Sequence, residues 1–174
     1  MIDLPSPVQA QAPEALRLHA DMPFLEEHRL SPFAYLLGWA GLLPQIAAFM
    51  LLVGQEPDLQ EFGHILAQAY AALILSFLGG IWWGMGVRVA GEPPRWLWFA
   101  AVLPALLAYA TFLPLAMGAR DTALPCVILA TGLIVSLWVD WRLCALEIAP
   151  RGWMFLRLPL SVGLALLTLL TVVF

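Results

Sequence analysis

Five stretches of about twenty mostly apolar residues follow one another along the chain, and they constrain its fold more than any other feature. A helix that crosses the hydrocarbon core of a bilayer needs about 20 such residues. The predicted spans cover residues 32–53, 62–87, 95–117, 122–141 and 152–174, and the second could begin as early as Pro57. Because the connections between them are short, consecutive helices must run antiparallel. We therefore predict an all-α integral membrane bundle of five transmembrane helices, formed by residues 32–174 as one domain.

The composition supports a lipid environment and argues against several other classes of protein. Hydrophobic residues make up 62% of the chain and charged residues 11%, whereas about a quarter of a soluble domain is charged. The bilayer is therefore a predicted partner. The net charge is -4 and no basic run is present, so the sequence gives no indication of nucleic-acid binding.

The arginines are distributed unevenly between the two ends of the predicted bundle. The arginine-rich end and the tail that precedes it carry Arg17, Arg29, Arg88, Arg95, Arg142, Arg151 and Arg157, and the other end carries Arg120. The positive-inside rule then predicts a cytoplasmic N-terminus and an external C-terminus. The predicted location is the inner membrane of a bacterium, or the mitochondrial inner membrane if the protein is eukaryotic. Residues 1–31 are predicted to form a cytoplasmic tail that is partly flexible or interfacial.

The segment "LSFLGGIWWGMGVR", residues 75–88, combines glycines with two adjacent tryptophans. Gly80 and Gly84 form a GxxxG pattern, and small residues at this spacing let two membrane helices approach closely. We predict close helix packing inside the bundle as the first interpretation. The alternative is a groove for a ligand or a partner, whose predicted residues are Ser76, Gly80, Trp82, Trp83 and Gly84. Seven of the eight tryptophans, including both of these, are predicted to form an aromatic belt at the arginine-rich end.

Several polar residues lie inside the predicted spans. Asp140 and Arg157 occur at similar depth on neighbouring helices, and an unpaired charge there is unfavourable. We predict a buried Asp140–Arg157 pair, which Arg88 or Arg142 could share. A structural clamp is the first interpretation of this pair, and a role toward a proton or a substrate is the alternative. The other intramembrane polar residues are Gln45, His64 and Gln68.

Motifs for enzyme chemistry are missing from the sequence. It contains no HExxH, CxxC, GxSxG or phosphate-binding run. We therefore predict no catalytic residues, no metal ligands and no cofactor. Pro44 and Pro104 lie deep in their spans and are expected to kink them.

Three short stretches resemble the family catalogued as domain of unknown function 3429, the transmembrane protein 69-like proteins. The first-helix motif of that family is matched by Leu37, Gly38, Gly41, Leu42 and Pro44. Its second-helix motif is matched by Ser76, Phe77, Leu78, Gly79, Gly80, Trp83 and Gly84. An arginine in the last helix is matched by Arg157, whereas Trp82 stands where family members often have histidine. The resemblance covers residues 33–170 and implies a small integral membrane protein without a defined activity.

Three functions remain open, in order of preference. The first is an accessory or assembly subunit that binds other membrane proteins or a second copy of itself. The second is a protein that binds a hydrophobic small molecule or a lipid, similar in architecture to the tryptophan-rich sensory proteins. The third is a membrane enzyme or proton-coupled carrier that uses Asp140, Arg157, His64 and Gln68.

Overall fold

The computed structural model describes residues 31–54 and 56–173, and this part of the chain forms six α-helices. Their bounds are α1 Pro32–Ala40, α2 Leu43–Val53, α3 Pro57–Val87, α4 Arg95–Ala116, α5 Ala123–Ala145 and α6 Trp153–Leu170. Helices α1 and α2 together form the first of five spans that are long and apolar enough to cross a membrane. The predicted all-α membrane fold is confirmed. The predicted tail lies outside the described residues except for Ser31, and the orientation of the termini stays a prediction.

Three of the predicted helix bounds differ by more than one residue from those observed. Helix α3 begins at Pro57 and has 31 residues, so it is about 47 Å long and extends beyond a hydrocarbon core of about 30 Å. Helix α5 continues to Ala145 rather than ending at 141, because its inward face extends to the fully buried Leu143. Helix α6 ends at Leu170, and the chain continues in turns.

The first span is broken at Gly41 and Leu42, just before Pro44. Proline has no N–H to donate to the carbonyl four residues earlier, so the helix is interrupted there. The Gly41 N–H ends α1 by donating to the carbonyls of Leu37 and Gly38 at 3.1 and 2.9 Å. The hydroxyl of Tyr70 on α3 donates to the Gly41 carbonyl. A side chain of a neighbouring helix thus bonds to a backbone carbonyl at the break between α1 and α2.

Helix α3 lies at the centre of the bundle. It contacts α2, α4, α5 and α6, while α5 and α6 pack against each other and α1 packs on α6. The core between these helices is made of leucines and alanines, which include Ala71, Leu75, Leu78, Leu129 and Leu133. The Tyr35 hydroxyl is 3.4 Å from the Gly152 carbonyl. The start of α1 therefore lies at the same end as the start of α6, which is the arginine-rich end.

The close contact between α3 and α4 uses different glycines from those predicted. A Cβ atom on Gly79 would lie far inside van der Waals contact with the carbonyl oxygen of Ala101. A Cβ atom on Gly86 would lie 3.1 Å from Leu97. By contrast, nothing lies within 4 Å of a Cβ built on Gly80 or Gly84. The prediction that the GxxxG pattern packs inside the bundle is wrong, because both of its glycines are on the outer surface.

Candidate functional site

The carboxylate of Asp140 is the centre of a buried polar cluster. Asp140 is completely buried on α5, five residues before the helix ends at Ala145. Its Oδ1 accepts hydrogen bonds from the indole N–H groups of Trp82 at 2.8 Å and Trp153 at 2.9 Å. Its Oδ2 accepts a bond from Nε of Arg157 at 2.8 Å. We call these four residues and Ser136 the Asp140 cluster.

Arg157 is held in this cluster by more than its ion pair. The side chain is 6% exposed, its Nη2 donates to the Ser136 hydroxyl at 3.3 Å, and its Cζ lies 5.9 Å from the centre of the Trp153 ring. The Ser136 hydroxyl donates in turn to the Leu133 carbonyl at 2.7 Å. A buried ion pair is tolerable only when such additional hydrogen bonds complete its polar contacts.

The Asp140 cluster joins three helices at one depth. Trp82 comes from α3, Asp140 and Ser136 come from α5, and Trp153 and Arg157 come from α6. The negative and positive charges balance, and neither ionic side chain is open to water. Chemically, this arrangement suits a clamp that fixes the relative positions of α3, α5 and α6.

The structure brings Asp140 and Arg157 together but leaves the other predicted polar residues elsewhere. Arg88 is exposed at the end of α3. Gln45 donates to the Thr168 hydroxyl at 3.1 Å and so joins α2 to α6. Gln68 donates to the Thr111 carbonyl at 2.8 Å and so joins α3 to α4. Each glutamine forms a separate interhelical contact.

His64 is half-buried on α3, four residues before Gln68 and therefore far along the helix from Trp82. Its Nδ1 atom is buried without a hydrogen-bond partner. His64 and Gln68 therefore do not join Asp140 and Arg157 in one centre. Among residues 31–54 and 56–173, no three His, Cys, Asp or Glu side chains are grouped so that they could hold a metal ion.

The five residues predicted to line a groove occupy two opposite faces of α3. Trp82 is 2% exposed and points into the bundle, whereas Gly80 and Gly84 are exposed. Residues two apart on an α-helix are separated by about 200°, which puts Trp82 opposite Gly80. Trp83 is 49% exposed and Ser76 is half-buried. We call Ser76, Gly80, Trp83 and Gly84 the outer glycine face; a single groove that includes Trp82 is not present.

The tryptophans at the arginine-rich end also divide into two groups. Trp138 and Trp141 are more than half exposed, and Trp83 meets Trp98 edge-on with ring centres 4.8 Å apart. These positions fit an aromatic belt at the membrane interface. Trp82 and Trp153 are instead buried and bonded to Asp140, so their assignment to the belt was wrong. One sequence signal could have identified them: a buried carboxylate can accept about four hydrogen bonds from several directions, and indole N–H groups are donors available at that depth beside Arg157.

Comparison with known proteins identifies a family and a curated relative. The family model described as "Protein of unknown function (DUF3429)" matches residues 30–173. Transmembrane protein 69 of Xenopus tropicalis is 34% identical over 134 residues, which are 74% of this chain and 49% of the relative. The chain thus spans about half the length of the curated relative that it matches. No solved structure matches the chain.

Proposed function

The chain belongs to the DUF3429 family of proteins of unknown function, and we propose that it is an accessory or assembly subunit of another membrane protein. The outer glycine face is the proposed contact. Two glycines four residues apart are exposed there, with open space in front of both. This single observation carries the proposal.

Glycine is an unfavourable residue for a helix surface that meets only lipid. It is about 1 kcal/mol less favourable than alanine in a helix interior, and no helix of the described chain approaches Gly80 or Gly84 closely enough to require it. Small residues four apart are typical of surfaces where a second membrane helix packs closely. The partner we propose is therefore a transmembrane helix of another protein.

The surroundings of the outer glycine face define the character of that partner helix. Leu73, Phe77 and Val87 flank the glycines and are 67%, 63% and 65% exposed. No charged residue lies between them from 73 to 87. An apolar helix that fits between these side chains would gain van der Waals contacts along about three turns.

Blocking the outer glycine face tests this proposal. The variants Gly80→Leu and Gly84→Leu add bulk where the chain itself leaves space, so we expect a folded protein that no longer retains its partner. The measurement is native mass spectrometry of the protein extracted from its own membrane with a mild detergent. Ala105→Leu on α4 is the matched control, because Ala105 is also exposed on the bundle surface. Retention of the same partner by Gly80→Leu, or a partner that is a second copy of the chain, would contradict the proposal.

The proposed orientation has the N-terminus in the cytoplasm and the C-terminus outside, in a bacterial inner membrane or the mitochondrial equivalent. The distribution of arginine supports it: Arg88, Arg95 and Arg151 flank the connections at one end, and Arg120 lies at the other. We expect alkaline phosphatase fused after residue 174 to be active in bacterial cells, because this enzyme is active only outside the cytoplasm. An inactive fusion with a folded bundle would indicate the opposite orientation, with the C-terminus in the cytoplasm.

A further inference from the structure

A cavity of about 270 Å³ lies between α1, α3 and α6. Leucine and isoleucine side chains form most of its wall. Leu37 of α1 and Phe77 of α3 line it and are 57% and 63% exposed, so they form a rim that faces the surrounding lipid. The cavity is slightly smaller than typical ligand pockets of about 300–1,000 Å³.

Ser161 lines this cavity, and its hydroxyl has no hydrogen-bond partner. Ser161 is 1% exposed, and its Oγ is one of the buried polar atoms that have no partner. Other hydroxyls in the same bundle bond to their own helix: Thr131 donates to Val127 at 2.8 Å and Thr168 donates to Leu164 at 2.8 Å. An unpaired hydroxyl in apolar surroundings is unfavourable. The absence of a partner for the Ser161 hydroxyl indicates a hydrogen-bonding group that the described chain does not supply.

The electrostatics of the cavity favour a neutral occupant. Arg157 also contributes to the wall, but its charge is already balanced by Asp140 at 2.8 Å. The remaining lining residues are uncharged. A charged ligand would therefore have to enter an apolar site without a counter-ion, which is strongly unfavourable.

We propose that this cavity binds a neutral lipid whose apolar chain carries one hydroxyl or carbonyl oxygen, with that oxygen hydrogen-bonded to Ser161. The apolar part fills the leucine-lined space and continues past Leu37 and Phe77 into the bilayer. The site adjoins the outer glycine face, because Phe77 borders both, but Ile74, Leu78 and Ile81 line the cavity and Gly80 and Gly84 do not. The proposal rests on Ser161 and the cavity, and not on the two exposed glycines.

Photolabelling with two matched probes tests the site. One probe is a long-chain primary alcohol that carries a diazirine, and the other is the alkane of the same length with the same diazirine. The full chain is reconstituted in phosphatidylcholine vesicles, labelled, and mapped by mass spectrometry of its peptides. We expect the alcohol to label residues 37–42 and 74–81 in preference to the outer surface of α4, and excess unlabelled alcohol to compete. The alkane is expected to show no such preference.

Two variants and one control distinguish the contribution of the Ser161 hydrogen bond from that of the cavity volume. Ser161→Ala keeps the cavity and removes the hydroxyl, so labelling of these segments by the alcohol should fall about three- to tenfold, the value of one hydrogen bond. Ile74→Phe adds bulk to the half-buried wall and should remove the preferential labelling. Thr131→Ala removes a hydroxyl elsewhere and should change nothing. Equal labelling by alcohol and alkane, or an unchanged alcohol pattern in Ser161→Ala, would overturn the proposal.

Discussion

Replacement of Gly79 by alanine is expected to destabilise the bundle by about 3 kcal/mol, whereas the same change at Gly80 should leave its stability equal or higher. The added methyl group at position 79 would overlap the carbonyl oxygen of Ala101. Backbone cannot move aside as a side-chain tip can, so α3 and α4 would have to separate. At position 80 the methyl group meets open space, and alanine favours the helix by up to about 1 kcal/mol.

The pair of adjacent residues supplies its own control. Both variants make the same chemical change in the same turn of α3, so differences in helix propensity cancel. Equilibrium unfolding by sodium dodecyl sulfate in mixed micelles, followed by circular dichroism, gives the free energies of unfolding. Equal stability of the two variants would contradict the observed orientation of α3, in which Gly79 faces α4 and Gly80 faces outward.

The glycines of α3 illustrate what the sequence could not determine. Pairs four apart and seven apart both occur, as Gly80 with Gly84 and Gly79 with Gly86. Both spacings put small residues on one side of a helix, and neither says which side meets a neighbour within the chain. That choice depends on how α2, α4, α5 and α6 surround α3, which is a property of the whole bundle.

The features that were predictable are those that the bilayer dictates directly. Hydrocarbon thickness fixes how long an apolar helix must be, so the five spans could be read from the sequence. The depth of Asp140 and Arg157 also follows from their place in neighbouring spans, and the structure has them in contact. Trp82 was misassigned because an indole near a span end is typical of an aromatic belt. Its inward position is explained by the buried Asp140 carboxylate on α5, to which the Trp82 indole donates.

Removing the positive member of the buried ion pair is expected to have the second large effect. Arg157→Met would leave the Asp140 carboxylate completely buried with two indole donors and no counter-ion, and we expect a loss of about 4 kcal/mol in the free energy of unfolding. Arg142→Met is the matched control. Arg142 is exposed and its Cζ lies 5.8 Å from the centre of the Trp138 ring, so its loss should have an effect of about 0.5–1 kcal/mol.

Removing the negative member of the pair should destabilise the bundle less, because the arginine side chain is longer than the aspartate side chain. In Asp140→Leu the unpaired group is Arg157, which is four residues from the start of α6 and therefore about 6 Å from that end. A long arginine can extend its head group toward the interface, whereas a buried aspartate cannot. We expect Asp140→Leu to destabilise by about 2–3 kcal/mol.

The double variant then shows whether the cluster acts as a clamp. With Asp140→Leu and Arg157→Met together, no charge remains buried, and the main loss is the bonds of the Trp82 and Trp153 indoles to the carboxylate. We expect the double variant to be at least about 2 kcal/mol more stable than the sum of the single effects predicts. The same unfolding measurement on the unmodified protein, the two single variants and the double variant completes this double-mutant cycle. Additive effects would mean that the two charges are not energetically coupled, and the clamp would then have to reside in the indole bonds and in the packing of Trp82 and Trp153 around them.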